Sequence, residues 1–187
     1  MFMPPLVQVI NLVLSSLTVL AQIASIVLIV ALLAKHKGIT SLAARYALLG
    51  SFIVALIATG GSLFYSEIAG YEPCKLCWFQ RIFMYPQVIL LGLALAKKIS
   101  DALIVAGTLS AIGGIIAGYH YLLQLGVIKG SCGVVGYSVA CSQRFVMNFG
   151  YITIPLMAFS AFLLIFLIAV AFYRTSGHES SSQKNNP

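Results

Sequence analysis

The chain has 187 residues, of which 60% are hydrophobic and only 8% charged, with a mean hydropathy of +1.02. A soluble domain carries roughly 25% charged residues, so this composition excludes a soluble globular protein and identifies an integral membrane protein. The net charge of +7 comes from basic residues scattered between apolar runs, which speaks for membrane topology and against a nucleic-acid-binding face.

Charge-free runs cover residues 1–34, 46–66, 82–96, 102–128 and 145–173. A spanning helix needs about 20 apolar residues, with a range of about 17–25. Four runs meet this length outright and the third falls short, which predicts five transmembrane helices. The first run has no basic residue ahead of it and is longer than the apolar core of a signal peptide, so it reads as a helix. Its polar residues, Gln8, Asn11, Ser15, Ser16, Thr18, Gln22 and Ser25, are expected to bond across helix contacts; a partner-docking helix is the alternative.

Helix two ends near Tyr65, and residues 67–73 lead to the first cysteine pair, Cys74 and Cys77. Helix three contains Pro86, which frees the carbonyl of Ile82 and is expected to bend the outer end. Its charge-free run covers about 22 Å against a hydrocarbon core of about 30 Å. Lys97 and Lys98 can snorkel at one end, so Arg81 and Trp78 are drawn into the bilayer edge, with Cys77 just above. Helix four shows Ser110, Gly114 and Gly118 at four-residue spacing, a stripe that lets backbones approach. Helix five contains Pro155, and the polar tail after it reads as disordered. The expected units are an extra amino-terminal helix (1–41), a four-helix membrane domain (42–173) and a disordered cytoplasmic tail (174–187).

Lys35, Lys37, Arg45, Lys97, Lys98, Arg174 and Lys184 fall on one side, against Lys75, Arg81, Lys129 and Arg144 on the other. The positive-inside rule assigns the richer side to the cytoplasm. All four cysteines, Cys74, Cys77, Cys132 and Cys141, are then outside, where disulfides persist. Aromatic residues crowd that outer boundary (Tyr65, Tyr71, Trp78, Tyr85 and Tyr119 among them), as in an interfacial belt; a bound flat ring is the second reading.

The Cys74-x-x-Cys77 pair stands at a helix start, where the helix dipole lowers a thiol pKa, and can close a small strained disulfide. Arg81 lies on the same helical face and could hold a thiolate or a developing anion on an electron acceptor; a snorkelling arginine is the plain alternative. His120 counts to nearly the depth of Arg81, and an ionisable residue inside a span is a functional candidate. Its roles would be a hydrogen bond or proton to a quinone carbonyl, or a neutral contact between helices. Cys132 and Cys141 lie in a glycine-rich loop (Gly126, Gly130, Gly133, Gly136), suited either to exchange with a partner's thiol or to a structural crosslink.

The run Glu72-Pro73-Cys74-Lys75-Leu76-Cys77-Trp78-Phe79-Gln80-Arg81 with Met84-Tyr85-Pro86 resembles the DsbB/BdbC family of bacterial disulfide-bond formation proteins. So do Tyr119-His120-Tyr121-Leu122-Leu123-Gln124-Leu125 and Gly150-Tyr151-Ile152-Thr153-Ile154-Pro155. The resemblance covers roughly residues 45–173 and implies an all-α four-helix transmembrane bundle, to which the amino-terminal helix is extra. It implies a thiol:quinone oxidoreductase of the bacterial cytoplasmic (inner) membrane, multi-pass, with its active cysteines on the outer face. The implied partner is a DsbA/BdbD-like thioredoxin-fold oxidase, and the implied acceptor is a quinone, ubiquinone or menaquinone. Carried onto this chain, Cys132 is attacked by the partner's thiol and Cys141 attacks Cys74. Cys77 becomes the thiolate facing the quinone, with Arg81 and His120 beside it. Cys132 and Cys141 are closer together than in the enteric members. The rival readings are a structural zinc site of four thiolates, a membrane scaffold with inert disulfides, and a vitamin-K-epoxide-reductase-like enzyme, whose loop cysteines would precede its C-x-x-C.

Overall fold

The computed structural model describes residues 4–128 and 145–184, with side chains described to residue 176. Cys132 and Cys141, together with the loop glycines Gly130, Gly133 and Gly136, lie outside the described residues. Six α-helices follow in order: α1 (Pro5–Leu33), α2 (Lys37–Arg45), α3 (Ala47–Leu63), α4 (Lys75–Lys97), α5 (Ala102–Leu125) and α6 (Ile154–Lys184). One π-helical turn, Phe64–Ile68, extends α3. Five of these helical segments are long and apolar enough to cross a membrane, so the chain is an all-α multi-pass membrane protein.

Helices α3, α4, α5 and α6 are neighbours in that order, and α6 packs back against α3, which closes a four-helix ring. The extra helix α1 lies along the outside of that ring against α6. Short α2 also packs on α6; sequence analysis placed no element there, although Ile39, Leu42 and Ala43 have helical spacing.

Lipid-facing and interior positions are distributed as a bilayer requires. Leu20 is 61% exposed and Ile115 74%, whereas Ser15, Ser51 and Gln87 are fully buried. No water is available at that depth to satisfy polar groups, so they turn inward, where several find protein partners while the Ser51 hydroxyl is buried without one. Ser15, Thr18 and Ser25 of α1 donate to carbonyls one turn back in their own helix. Gln22 reaches across to Ser160 on α6 at 3.3 Å. Between α4 and α5, Ser110 Oγ donates to Gln87 Oε1 at 3.1 Å, and Gln87 Nε2 donates to the Phe83 carbonyl at 2.9 Å.

The small residues of α5 let α6 come close. A Cβ on Gly113 would fall 2.4 Å from Cζ of Phe162, which is fully buried. The same atom on Gly114 would meet Phe162 at an ordinary 3.5 Å. Helix α4 runs as one element through Pro86. Pro155 is the second residue of α6, within the first turn, where a missing N–H costs nothing.

The structure differs from expectation at the carboxyl end: α6 continues to Lys184, through residues expected to be disordered from 174 onward. Once a helix is nucleated by packing, each added residue needs only one further bond to extend it. Before α6, Phe149 and Gly150 both have positive φ (52° and 78°). They form the tight turn that pairs Asn148 with Ile152. That turn presents Asn148 Nδ2 to the Asn11 carbonyl (3.1 Å) and Ser15 Oγ (2.8 Å), pinning α1 to the bundle.

Two glycine substitutions separate close packing from helix propensity. Gly113→Ala has no room to displace the buried Phe162 and should cost about 1–3 kcal/mol, read as a lower apparent thermal midpoint in detergent. Gly114→Ala has space and should be neutral or mildly stabilising; equal losses for both would contradict this packing.

Candidate functional site

The C-x-x-C segment is a helix start: Pro73 lies just ahead of it and α4 begins at Lys75. Cys74 is the N-cap of α4, in extended conformation, and its carbonyl accepts from the Trp78 N–H at 3.1 Å. Cys77 therefore falls in the first turn, above Gln80 and Arg81 on the same helix. Cys74 is buried at 5% exposure and Cys77 is half-buried; they are not joined by a disulfide, and their sulfurs lie 3.4 Å apart.

His120 arrives from α5 and is 2% exposed. Gln80 Nε2 donates to its Nδ1 at 3.0 Å, which leaves the ring proton on Nε2, 3.7 Å from the Cys74 sulfur. His120 thus stands against the thiols, in addition to being near the level of Arg81 that the sequence indicated. Arg81 is held from the other side: Nε donates to Ser62 Oγ and Nη2 to the Ser62 carbonyl of α3, both at 3.1 Å. Its guanidinium lies 5.3 Å from the Trp78 ring centroid and 6.0 Å from that of Tyr85. The fork still has donors left for a ligand.

The thiol chemistry departs from the expectation of a lowered pKa at the helix start. The hydrogen bond between Cys74 and Cys77, followed by burial, pushes the Cys74 thiol up to about 12, while His120 pulls in the opposite direction. The hydrogen bond between two adjacent sulfurs, together with burial of Cys74, outweighs the helix-end dipole.

A cavity of about 390 Å³ begins at these groups and descends between the helices. Cys74, Cys77, Arg81 and His120 all line it, and so do Tyr65 and Tyr71. These two tyrosines form a column with Phe145: Tyr65 and Tyr71 are stacked at 5.8 Å and Tyr71 and Phe145 at 5.0 Å. By contrast Trp78, Phe79 and Phe149 are exposed, as an interfacial belt would be.

The structure brings together Cys74, Cys77 and His120, with Arg81 on the same cavity wall. Cys132 and Cys141 fall outside the described residues. Two supporting residues were not singled out from sequence. Gln80 orients His120, and its burial as an amide on a spanning helix was the available signal. Ser62 orients Arg81, but a serine after two glycines carries no such signal.

Cys74, Cys77 and His120 also offer three donor atoms within 4.8 Å of one another, a set that a thiophilic ion such as zinc can use. Such binding needs both sulfurs as thiolates.

Comparison with known proteins places this geometry. The profile of disulfide bond formation protein DsbB matches residues 44–172. A probable disulfide formation protein of Oceanobacillus iheyensis is 41% identical over 130 residues, covering 69% of this chain and 90% of that one. Disulfide bond formation protein C of Bacillus subtilis is 42% identical over 122 residues, covering 64% and 87% respectively. A prophage-derived disulfide bond formation protein B of the same organism is 44% identical over 119 residues, covering 64% and 80%. No solved structure matches. Helix α1 precedes the matched segment, and 90% coverage of the Oceanobacillus protein leaves little of that chain to supply a counterpart. From residue 44 to residue 172, with its paired thiols at the head of α4, the chain belongs to the DsbB family of disulfide bond formation proteins.

Proposed function

We propose that this disulfide oxidoreductase is a thiol:quinone oxidoreductase that reoxidises a soluble thioredoxin-fold oxidase outside the cytoplasmic membrane. The observation that carries this reading is one cavity that joins a buried dithiol to Arg81, His120 and an apolar interior. Its volume lies within the usual range for small-molecule sites, about 300–1,000 Å³. Few polar groups converge at one end and apolar side chains line the rest, which fits a ring with carbonyl oxygens on an apolar tail. The outer-face assignment follows from the basic residues flanking α2 and the α4–α5 turn.

In the proposed relay the partner's thiolate attacks Cys132 of a Cys132–Cys141 disulfide, and Cys141 leaves as a thiolate. Cys141 attacks Cys74, the Cys74–Cys77 bond breaks, and Cys77 leaves. The partner's second thiol displaces Cys132, which releases the oxidised partner, and Cys132 then attacks Cys141. This restores the loop disulfide and frees Cys74. The His120 Nε2–H faces Cys74, so it can stabilise that departing sulfur or hand it a proton. Bound quinone supplies a two-electron, two-proton acceptor that leaves as quinol. Arg81, fixed by Ser62, orients and stabilises an oxygen beside Cys77. Cys74, pushed up to about 12, keeps its proton at neutral pH, so that proton leaves with the electrons.

Three measurements test this. With purified protein, reduced oxidase and quinone, Cys132→Ser should abolish partner oxidation, and Cys141→Ser should accumulate a mixed disulfide through Cys132. Wild-type rates in both variants would make the loop pair structural.

Charge-assisted contacts contribute about 1.5–3 kcal/mol, and 1.4 kcal/mol is tenfold. Arg81→Met should therefore raise the quinone Michaelis constant roughly ten- to a hundredfold, with single-turnover partner oxidation nearly intact. A slowed single turnover at an unchanged constant would assign Arg81 to the thiols instead.

His120 supplies the downward pull on Cys74. His120→Ala should slow iodoacetamide labelling of reduced Cys74 several-fold near pH 9, where the residual thiolate reacts. The rate should rise with pH toward 12 in both proteins, because a raised pKa favours the neutral thiol until that pH is approached. Faster labelling in the variant would mean that His120 shields Cys74.

A further inference from the structure

We propose that α1, the helix outside the family match, is one wall of the quinone site: it binds the apolar tail, which enters from lipid along the seam between α1 and α3. This deepens the quinone reading and rests on it.

The cavity that starts at Cys74 and Cys77 is lined on α1 from Leu14 to Ala24 and on α6 from Ile154 to Leu164. Each stretch covers about 15 Å at 1.5 Å per residue. Helix α3 supplies the facing wall from Tyr65 down to Val54. Only His120 and Gln124 line it from α5, so the deeper part of the cavity does not belong to the α4–α5 seam that holds the redox groups. Without α1 that deeper space would have lipid in place of a wall.

Side-chain size explains why the space exists. The two helices approach closely at Gly61, where a Cβ would lie 3.1 Å from Leu14. Deeper in, Ala21 and Ala24 on α1 meet the cavity together with Ala58 on α3. These short side chains cannot fill the gap between helices held apart by larger neighbours.

The seam also opens sideways. Leu17, Leu20 and Ile57 line the cavity and are nevertheless 37%, 61% and 40% exposed, so the cavity reaches the lipid-facing surface between α1 and α3. Helix α1 is held in register by other contacts: Asn148 bonds to the Asn11 carbonyl and Ser15, and Tyr151 donates to Gln22 Oε1 at 3.1 Å. The wall is therefore built into the fold. A water-soluble acceptor has no use for about 15 Å of apolar lining beneath the redox groups, whereas an isoprenoid tail gains burial along all of it.

The test is binding, read without turnover on the purified full-length protein. Trp78 is the single tryptophan and lies beside Arg81, so a quinone ring bound there should quench its fluorescence. Two probes are titrated: a tail-free benzoquinone ring, and the same ring carrying a short isoprenoid tail. Ala21→Phe fills the space and should weaken the tailed probe about tenfold or more, with less than about a twofold change for the bare ring. Leu17→Ala, a milder change should Ala21→Phe misfold, should weaken the tailed probe alone by about threefold. Ile23→Phe, on the exposed side of α1 and outside the lining, should alter neither. A photoreactive group on the tail should mark peptides from α1.

If the wild type binds the tailed probe but neither cavity variant changes the preference for tailed over tail-free ring, α1 is no tail wall and the quinone reading stands. Photoadducts confined to α4 and α5 would overturn the proposal in the same way. If neither probe quenches Trp78 or labels the wild type, the quinone reading falls and the proposal with it.

Discussion

A bilayer interior offers no hydrogen bonds, and most of this architecture follows from that one constraint. Polar side chains on spanning helices are therefore matched largely by another helix or by their own backbone, with the Ser51 and Thr59 hydroxyls buried without a partner. On helix α4 these demands are met from two neighbouring helices. Gln87 is met by Ser110 of α5, Gln80 by His120 of α5, and Arg81 by Ser62 of α3. Three pairs at different heights determine the rotation and register of α4 between its neighbours. The cysteines at its head take their orientation from that. Bonds that satisfy buried polar groups are therefore also bonds that assemble the candidate site.

Inside that frame, two effects compete at Cys74. Its position at a helix N-terminus favours a thiolate, while the neighbouring sulfur and the closed surroundings favour the neutral thiol. The second pair wins, and the thiol is pushed up to about 12. A buried anion is costly unless a charge or several donors meet it, and the single imidazole of His120 offsets only part of that. A Cys74 thiol that keeps its proton suits a site in which electrons and protons depart together, in keeping with the proposed acceptor. Arg81 is placed differently. With two donors on Ser62 and its face on Trp78, it is a fixed positive group at the cavity wall.

The aromatic residues divide along the same lines. Trp78, Phe79 and Phe149 face outward, where an interfacial ring is stable. Tyr65, Tyr71 and Phe145 instead stack on one another near the cysteine end. The π-helical turn after α3 lies at this point and carries Tyr65. The turn at Phe149 and Gly150 then brings Asn148 onto α1, so this extra helix is tied to the bundle at the end that holds the thiols.

Much of this was legible in the sequence, for stated physical reasons. Apolar run length identifies five spans because hydrocarbon thickness sets a minimum. The spacing of Cys74, Cys77 and Arg81 places them on one helical face because 3.6 residues make a turn. Motif order around Cys74 and His120 was sufficient for the family. Local sequence could not reveal which side chains complete the site. Ser62 and Gln80 matter only because α3, α4 and α5 meet where they do. The direction of the Cys74 shift depends on a second sulfur and on burial, both properties of the assembled site, whereas the helix-start argument saw only the local dipole. The continuation of α6 beyond Arg174 likewise reflects propagation from a packed helix, which composition alone does not report. Above all, periodicity shows that α1 can span a membrane but not what it lies against. Only the packed structure sets Leu14, Ala21 and Ala24 opposite α3 along the cavity, because helix–helix contacts bring together residues separated by some forty positions in the chain.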